Sequence, residues 1–326
     1  MGSLKASLLS RPGKNNLTKT VSDSKDKRET QQITDKRCYK GRFLQAMKWT
    51  ILGSGGCMII PKPLCQCRVC REARKKGVPY ARTGPSTFLH DINLLIDTPA
   101  EIASQLNHCH IRHIDYLMLT HLDPDHVEGL RVVEQITLDF RSWRAYPEKQ
   151  ICLLLPEQLG ERIREIQYQY GPLVDFYQQR GFVRLMLFQG EVQINNIQIT
   201  AIPVDRGSQL AFVYVFEKSG RKVVYAPCDF KPFPEYRTEV QQPDLLVIQP
   251  GIFENGLKHH FKYPTDHISR TTLYTFEQTL ELAARIQATR VLFVHLEEYW
   301  NRSYDEYCAL ESDSIKFAYD GMQINV

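Results

Sequence analysis

Residues 120–126 read Thr-His-Leu-Asp-Pro-Asp-His and hold two histidines and two carboxylates within six positions. The segment directly follows the apolar run 116–119, so a buried strand would deliver these groups to one point at a sheet edge. Divalent metal ions bind imidazole and carboxylate groups, and a bound metal can turn water into a nucleophile at neutral pH. An ordinary polar loop is the alternative, but four metal-capable side chains in seven residues favour a metal site.

Several later apolar runs also end in metal-capable residues. Residues 199–204 lead to Asp205, residues 223–227 lead to Cys228 and Asp229, and residues 291–294 lead to His295. Each alone is explained as a turn former or a helix cap. If the strands lie in neighbouring sheets, however, their ends converge, as in many sites that are built on sheet scaffolds.

A second candidate metal site is the group of Cys65, Cys67 and Cys70, within a total of nine cysteines. In a cytosolic chain such crowding favours metal binding over disulfides. Three thiolates at this spacing suit a tetrahedral structural zinc, which needs a fourth ligand. An empty or redox-prone cysteine cluster is the alternative. Most of the other cysteines are expected to be small core residues or inert surface thiols.

The composition indicates a soluble and cytoplasmic protein. The chain has 326 residues, of which 43% are hydrophobic, enough for a large core. No apolar run approaches the roughly 20 residues that a membrane span needs, and the N-terminus lacks the apolar region of a signal peptide. We therefore expect no membrane association.

The basic character of the chain is confined to its first 45 residues. They contain eleven Lys or Arg and four Asp or Glu, so they contribute +7 to a net charge of +4, and residues 46–326 carry −3. Few apolar residues lie in this segment, which predicts a disordered basic tail in front of one domain over 46–326. The folded body is accordingly not predicted to bind nucleic acid, although an RNA- or membrane-touching tail is left open.

Hydrophobic periodicity predicts strands alternating with helices. The predicted strands are 48–52, 93–98, 114–119, 150–155, 183–187, 192–202, 211–217, 222–226, 245–249 and 290–295, and the predicted helices are 100–108, 127–136 and 273–287. This order is typical of an α/β protein with a two-layer sheet core and helices outside. The 120–126 cluster then lies between a strand and a helix.

The order of these motifs resembles the metallo-β-lactamase superfamily, and within it the PhnP/PqqB-like branch. The resemblance runs from about Met47 to Val326. It rests on the cluster itself, on Leu-Gly-Ser-Gly-Gly at 52–56, on Cys-Gln-Cys-Arg-Val-Cys at 65–70 and on Tyr-Asp-Gly-Met at 319–322. It implies a four-layer αββα sandwich of two mixed sheets flanked by helices, with a two-metal site at one edge.

The resemblance also implies a ligand set for two divalent ions, Mn, Fe or Zn. The implied ligands of site one are His121, Asp123 and Asp205; those of site two are Asp125, His126 and His295; and Asp229 bridges the ions. Asp123 and Asp205 stand where the family has histidines. Carboxylate ligands suit manganese and magnesium, whereas zinc favours imidazole and thiolate ligands. The paired change from histidine to aspartate therefore predicts a shift in metal preference at site one.

Two further residues follow from the same resemblance. Glu298 stands where the branch has the histidine that completes the structural zinc site with the three cysteines. His267 aligns with a histidine that lies near the scissile phosphate and would assist the leaving group, although a helix-capping or surface histidine is the alternative.

These expectations lead to a dinuclear hydrolase that cleaves a small cyclic phosphate or a nucleotide, with Asp125 and His267 in catalytic roles. Two alternatives are kept. One is a PqqB-like biosynthetic or redox protein with a mononuclear site at Asp125, His126 and His295, and the other is a non-catalytic protein with a degenerate site one. A homodimer is left open.

Overall fold

The computed structural model describes residues 32–33, 46–205, 207, 209–228 and 230–326. A seven-stranded mixed sheet, the first sheet, is built from the N-terminal half and closed by the C-terminal strand. Its spatial order is Val183–Phe188, Ile151–Pro156, Tyr116–Met118, Leu94–Ile96, Ser86–Leu89, Lys48–Gly53 and Met322–Asn325.

An eight-stranded mixed sheet, the second sheet, follows. Its spatial order is Gln32–Ile33, Glu191–Ile194, Ile197–Asp205, Leu210–Lys218, Arg221–Ala226, Leu245–Ile248, Val291–Phe293 and Ile315–Phe317. The last four strands are parallel to one another. Two short hairpins, Leu138–Asp139 with Arg144–Ala145 and Gln167–Tyr168 with Gly171–Pro172, lie outside both sheets.

The inner faces of the two sheets pack against each other. Trp49 of the first sheet is buried, and its ring centroid lies 4.9 Å from that of Phe216 on the second sheet. A hydrogen bond also links the two sheets: the Tyr214 hydroxyl donates to the Leu119 carbonyl at 2.7 Å. Burial of such large rings stabilises the sandwich by about 2 kcal/mol or more for each.

Helices cover the outer faces. The α-helices are Arg68–Lys76, Ile102–His108, Pro124–Val127, Val132–Thr137, Glu157–Arg162, Leu173–Arg180, Ser269–Thr272, Phe276–Arg285 and Tyr304–Cys308, and the 3₁₀ turns are His90–Ile92, Glu128–Arg131, Pro147–Lys149, Ile163–Glu165, Thr238–Val240, Lys258–His260 and Glu298–Trp300. Leu282 and Tyr307 are fully buried in a second hydrophobic core on the outer side of the second sheet. The predicted α/β class and the sandwich of two mixed sheets flanked by helices are confirmed.

Two predicted elements are corrected. The single strand predicted over 192–202 is a hairpin, because Asn195 adopts a left-handed conformation with φ of 52° and reverses the chain. The helix predicted from Leu273 begins at Phe276. The Thr275 side chain accepts from the Gln278 N–H and the Gln278 side chain accepts from the Thr275 N–H, a capping box that defines the start.

Parallel pairing brings several strand ends to one edge of the sandwich. Ala226 pairs with Ile248, and Ile248 pairs with Phe293, so the residues that follow these strands emerge together. No helix in the described part of the chain is long and apolar enough to cross a membrane. The predicted disorder of residues 1–45 concerns a segment that lies outside the described residues apart from Gln32 and Ile33.

Candidate metal centre

The start of the 120–126 cluster is held by a buried carboxylate. Asp97, which follows the strand Leu94–Ile96, is fully buried and accepts the Thr120 N–H at 2.7 Å and the Thr120 hydroxyl at 2.8 Å. After Thr120 the chain turns into the short helix Pro124–Val127, with Pro124 at its first position and Asp123 as its N-cap residue. This turn directs Asp125 and His126 back towards His121.

His126 joins two groups of metal-capable atoms. Its Nδ1 lies 2.9 Å from the second oxygen of Asp97, and its Nε2 lies 3.4 Å from Asp125 Oδ2 and 3.3 Å from His295 Nε2. A proton on Nδ1 donated to Asp97 leaves the Nε2 lone pair free for a metal, the arrangement that orients many ligating histidines. Burial lowers the pKa of His126, but the Asp97 and Asp125 carboxylates outweigh it and raise the pKa above its ordinary value.

Asp125, His126 and His295 form the first donor group, called triad A. Their donor atoms lie within 4.8 Å of one another, and Asp125 Oδ2 is 3.2 Å from His295 Nε2. Burial raises the pKa of Asp125, but the two imidazoles overcome that effect and hold the pKa well below its usual range. The carboxylate is therefore ionised at neutral pH, as a metal ligand must be.

His121, His126 and Cys228 form the second donor group, called triad B, whose atoms also lie within 4.8 Å of one another. His121 is buried, and its Nε2 has no hydrogen-bond partner among the described residues. A buried polar nitrogen without a partner costs about 1–3 kcal/mol, and a metal ion would satisfy it. The residues present therefore fit metal binding. His126 belongs to both triads, but its one free lone pair can bind a single ion, so a second ion would depend on the other atoms of triad B.

The position of His295 depends on three neighbouring segments. His295 has a left-handed backbone with φ of 57° directly after the strand Val291–Phe293. The next residue, Leu296, is held by hydrogen bonds to Ser54 and Gly56. His295 Nδ1 lies 3.2 Å from Glu297 Oε1, and the same carboxylate accepts the Cys57 N–H at 3.1 Å.

This arrangement explains the glycine turn at 53–56. A Cβ on Gly56 would lie 2.1 Å from Glu297 Oε1 and 2.7 Å from His295 Nδ1. The sequence predicts a close approach of the backbone at this turn, and the group that it approaches is the support of a candidate metal ligand.

The C-terminal Asp-Gly-Met segment supports the same turn. Asp320 is buried, and one of its oxygens accepts the Ser54 N–H and the Ser54 hydroxyl, both at 2.8 Å. Its other oxygen accepts the Thr83 N–H at 2.8 Å. The fully buried Arg82 donates to the Ser54 hydroxyl at 2.8 Å. The end of the chain thus positions the segment that pairs with Leu296.

Cys65, Cys67, Cys70 and Glu298 form a third donor group, called the cysteine claw. Cys67 caps the helix Arg68–Lys76, and Cys70 lies in its first turn. Glu298 Oε1 lies 3.4 Å from Cys65 Sγ, 3.3 Å from Cys67 Sγ and 3.4 Å from Cys70 Sγ. In a tetrahedral zinc site with Zn–S of about 2.3 Å and Zn–O of about 2.0 Å, the sulfur–oxygen edge is about 3.5 Å. The donor set and its spacing fit zinc.

A cavity of about 310 Å³ opens beside triad A. Its lining includes Asp125, the glycine turn at Gly56 and Cys57, and the segment that carries Pro99 and Glu101. Partial burial and the Glu297 carboxylate raise the pKa of the Cys57 thiol to about 12. A small molecule in this cavity would contact Asp125.

A family model for the beta-lactamase superfamily domain matches residues 92–296, which include triad A and triad B. The chain belongs to the metallo-β-lactamase superfamily. Most members of this superfamily are hydrolases, and the superfamily binds divalent metal ions. The resemblance inferred from the sequence is therefore confirmed.

Solved structures and one curated relative add to this assignment. A diphosphatase from the PhnP family has a TM-score of 0.66 and 20% identity, covering 87% of this chain and 98% of its own. Zinc-bound PqqB from Methylobacterium extorquens has a TM-score of 0.67 and 17% identity, covering 86% and 100%. Human tRNase Z, short form, has a TM-score of 0.53 and 16% identity, covering 85% and 98%. At these identities the likeness concerns the fold.

The curated relative is an octanoyltransferase of Porphyromonas gingivalis (strain ATCC BAA-308 / W83), 22% identical over 282 residues. The match covers 85% of this chain and 51% of the relative. This chain thus spans about half the length of the relative. The octanoyltransferase activity in the relative's name belongs to that longer protein.

The structure brings some of the predicted metal ligands together and leaves others apart. His121, Asp125, His126 and His295 lie in the two triads. Asp123 Oδ2 lies 3.7 Å from His121 Nε2, with half of its side chain exposed. Asp205 is exposed and accepts the Gly207 N–H at 2.8 Å, the geometry of a turn residue, and it joins neither triad. Asp229 lies outside the described residues.

His267 is half-buried, and its described contacts are local. Its Nδ1 accepts the Ser269 N–H at 3.2 Å, and its ring packs edge-on against Tyr263 at 4.9 Å. Tyr263 in turn interacts with Tyr299 and with Glu297, the residue beside His295. The catalytic role of His267 stays a prediction.

Two residues at these sites were not predicted. Cys228 follows an apolar run and is metal-capable, but the ligand set implied by the resemblance contains its neighbour Asp229 instead. Lys258 Nζ lies 3.0 Å from Cys65 Sγ and against Glu298 Oε1. The contact between Lys258 and Glu298 could not be predicted from a local sequence pattern, because 40 positions separate the two residues.

Proposed function

We propose that this protein is a metal-dependent phosphodiesterase that uses two divalent ions on a small cyclic phosphate or nucleotide. The observation that carries the proposal is that triad A and triad B meet at His126, so an ion held by triad A and a second ion held by the other atoms of triad B would be neighbours. Ions in such a pair lower the pKa of water to supply a nucleophile and stabilise charge on both reacting oxygens.

The residues of the chain have separate roles in this proposal. Asp125, held ionised between two imidazoles, binds an ion and orients the attacking water. Asp97 and Glu297 hold the imidazoles of His126 and His295 in place. His267, whose ring packs against Tyr263, would assist the leaving oxygen.

The size of the cavity favours a small substrate. About 310 Å³ is near the lower end of the range for small-molecule sites. Its lining includes the carboxylates of Glu101, Asp125 and Glu128, so an anionic substrate would depend on bound metal ions to offset their charge.

A second candidate function is that of a mononuclear protein resembling PqqB, and a specific observation favours it. Triad A is the tighter group, with contacts of 3.2–3.4 Å, whereas Asp123 and Asp205 lie outside both triads. One transition metal in triad A, without hydrolysis of phosphodiesters, would support this candidate. A non-catalytic protein would hold no catalytic metal at all.

Metal analysis and a chromogenic phosphodiester assay with added manganese separate these functions. We expect about three ions per chain, two catalytic and one structural, and turnover that falls by at least about a hundredfold in Asp125→Ala. Asp313→Ala, at an exposed carboxylate, is the matched control and should keep both metal and activity. Full activity of Asp125→Ala would refute the dinuclear hydrolase.

A further inference from the structure

We propose that Cys228 is a metal ligand, and that its thiolate binds the ion held by His121, next to the ion held by triad A. The inference rests on the proposed metal centre and assigns a residue that the ligand set implied by the family resemblance does not include. It also changes the chemistry expected at that ion, because a sulfur donor replaces one of the oxygen donors predicted from Asp123 and Asp205.

The topology of the second sheet places Cys228 at the site. The strand Arg221–Ala226 is parallel to Leu245–Ile248, which is parallel to Val291–Phe293. The residues that follow these strands, Cys228, Gln249 and His295, therefore meet at one edge. There Cys228 interacts with His295 and with both imidazoles of triad B.

The unsatisfied nitrogen of His121 is an independent indication of a ligand between these side chains. His121 is 2% exposed, and its Nε2 has no hydrogen-bond partner among the described residues. The nearest carboxylate among the described residues, that of Asp123, is 3.7 Å away and half exposed. An ion bound by His121 and Cys228 would satisfy this nitrogen.

The distances are compatible with such an ion. Zn–N bonds of about 2.0 Å and a Zn–S bond of about 2.3 Å place tetrahedral donors about 3.5 Å apart. The donor atoms of His121 and Cys228 lie within 4.8 Å of each other without an ion, so a shift of about an ångström would bring both within bonding distance of one ion.

A donor set that contains an imidazole and a thiolate has a definite metal preference. Thiolate and imidazole favour zinc, cobalt or iron(II) over manganese and magnesium. Asp123 and Asp205 stand where the family has histidines, but the Cys228 thiolate would still make this position selective for zinc, cobalt or iron(II). The expectation of a manganese preference, drawn from the two carboxylates alone, would then be wrong for this position.

Cysteine protection in the full-length wild-type protein tests the assignment without a mutation. The zinc-loaded protein is treated with iodoacetamide before and after removal of metal by a chelator, and labelling is read peptide by peptide with mass spectrometry. We expect labelling of Cys228 to rise at least about tenfold after chelation, whereas Cys109, partly buried and outside every donor group, changes little. Equal labelling of Cys228 with and without metal would overturn the proposal.

Cobalt(II) spectroscopy of variants provides the second measurement. With cobalt in all sites, Cys228→Ser should lose about a quarter of the thiolate-to-cobalt charge-transfer absorption, since four thiolates contribute in the wild type. Cys70→Ser changes the claw and serves as the reference for loss of one claw thiolate. An unchanged spectrum and unchanged metal content in Cys228→Ser would also overturn the assignment.

The outcomes separate this inference from the proposed function. Metal-dependent protection of Cys228 without phosphodiester hydrolysis supports the ligand and refutes the phosphodiesterase. Hydrolysis by a dinuclear enzyme in which Cys228 labels equally with and without metal supports the phosphodiesterase and refutes the ligand.

Discussion

Lys258 and Glu298 form an ion pair at the edge of the cysteine claw, with the ammonium against the same oxygen that faces all three sulfur atoms. Three thiolates and a histidine around Zn²⁺ carry a net charge of −1, whereas three thiolates and a glutamate carry −2. The ammonium of Lys258, which also lies 3.0 Å from Cys65 Sγ, returns the local charge to −1. Lysine and glutamate together thus substitute electrostatically for one histidine.

Removal of this lysine should weaken zinc binding. We expect Lys258→Met to lower the zinc affinity of the claw by about tenfold, since a partner of the ligands that balances their charge is lost. Competition with a chromogenic chelator measures this affinity. Lys316→Met, at a partly exposed lysine that pairs with Glu311, is the control and should leave the affinity unchanged.

A histidine at position 298 should make the lysine dispensable. We expect Glu298→His to retain zinc, because three cysteines and one histidine form a common structural site. In that background Lys258→Met should cost little affinity, so the two substitutions are strongly non-additive. Equal losses in both backgrounds would show that Lys258 does not act through Glu298.

Asp97 should act on the metal centre without touching an ion. Asp97→Asn cannot accept the His126 Nδ1 proton as a carboxylate does, and it disturbs the support of Thr120. The expected result is a loss of about 10–100-fold in metal affinity at the two triads. Metal titration of a protein with an intact claw measures it, and unchanged affinity at both triads would refute the positioning role.

Gly56→Ala should uncouple His295 from the site. The new Cβ would lie 2.1 Å from Glu297 Oε1 and 2.7 Å from His295 Nδ1, so at least one of these side chains must move. We expect metal bound by triad A to be lost while the protein stays folded. Metal content measured together with a thermal melt distinguishes this outcome from general unfolding.

Asp320→Ala should destabilise the fold and thereby the site. The substitution leaves donors of Ser54 and Thr83 unsatisfied and removes an acidic partner from the surroundings of the fully buried Arg82. We expect a loss of about 3 kcal/mol or more in the free energy of unfolding. Urea denaturation measures it, and Asp313→Ala, at an exposed position, should change it by less than about 0.5 kcal/mol.

The sequence by itself determined the strands and the residues that follow them. Apolar runs of four to six residues are readable because burial on both faces of a sheet selects such runs. The 120–126 cluster was readable because its four ligand-type side chains are adjacent in the chain. His295 was readable as the metal-capable residue after the apolar run 291–294, whereas its place in a ligand set, and the identification of Glu298, came from the family resemblance.

Tertiary structure decided which of these groups meet. Cys228 lies 107 positions after His121, and the two meet where a strand of the first sheet and a strand of the second sheet end at the same edge of the sandwich. Asp205, in contrast, accepts a hydrogen bond from its own turn and stays outside both triads. Lys258 reaches Glu298 across a loop that no periodicity describes. The sequence therefore shows which residues are able to bind a metal. Which of them share an ion depends on the order of the strands and the path of the loops, which bring together residues far apart in the chain.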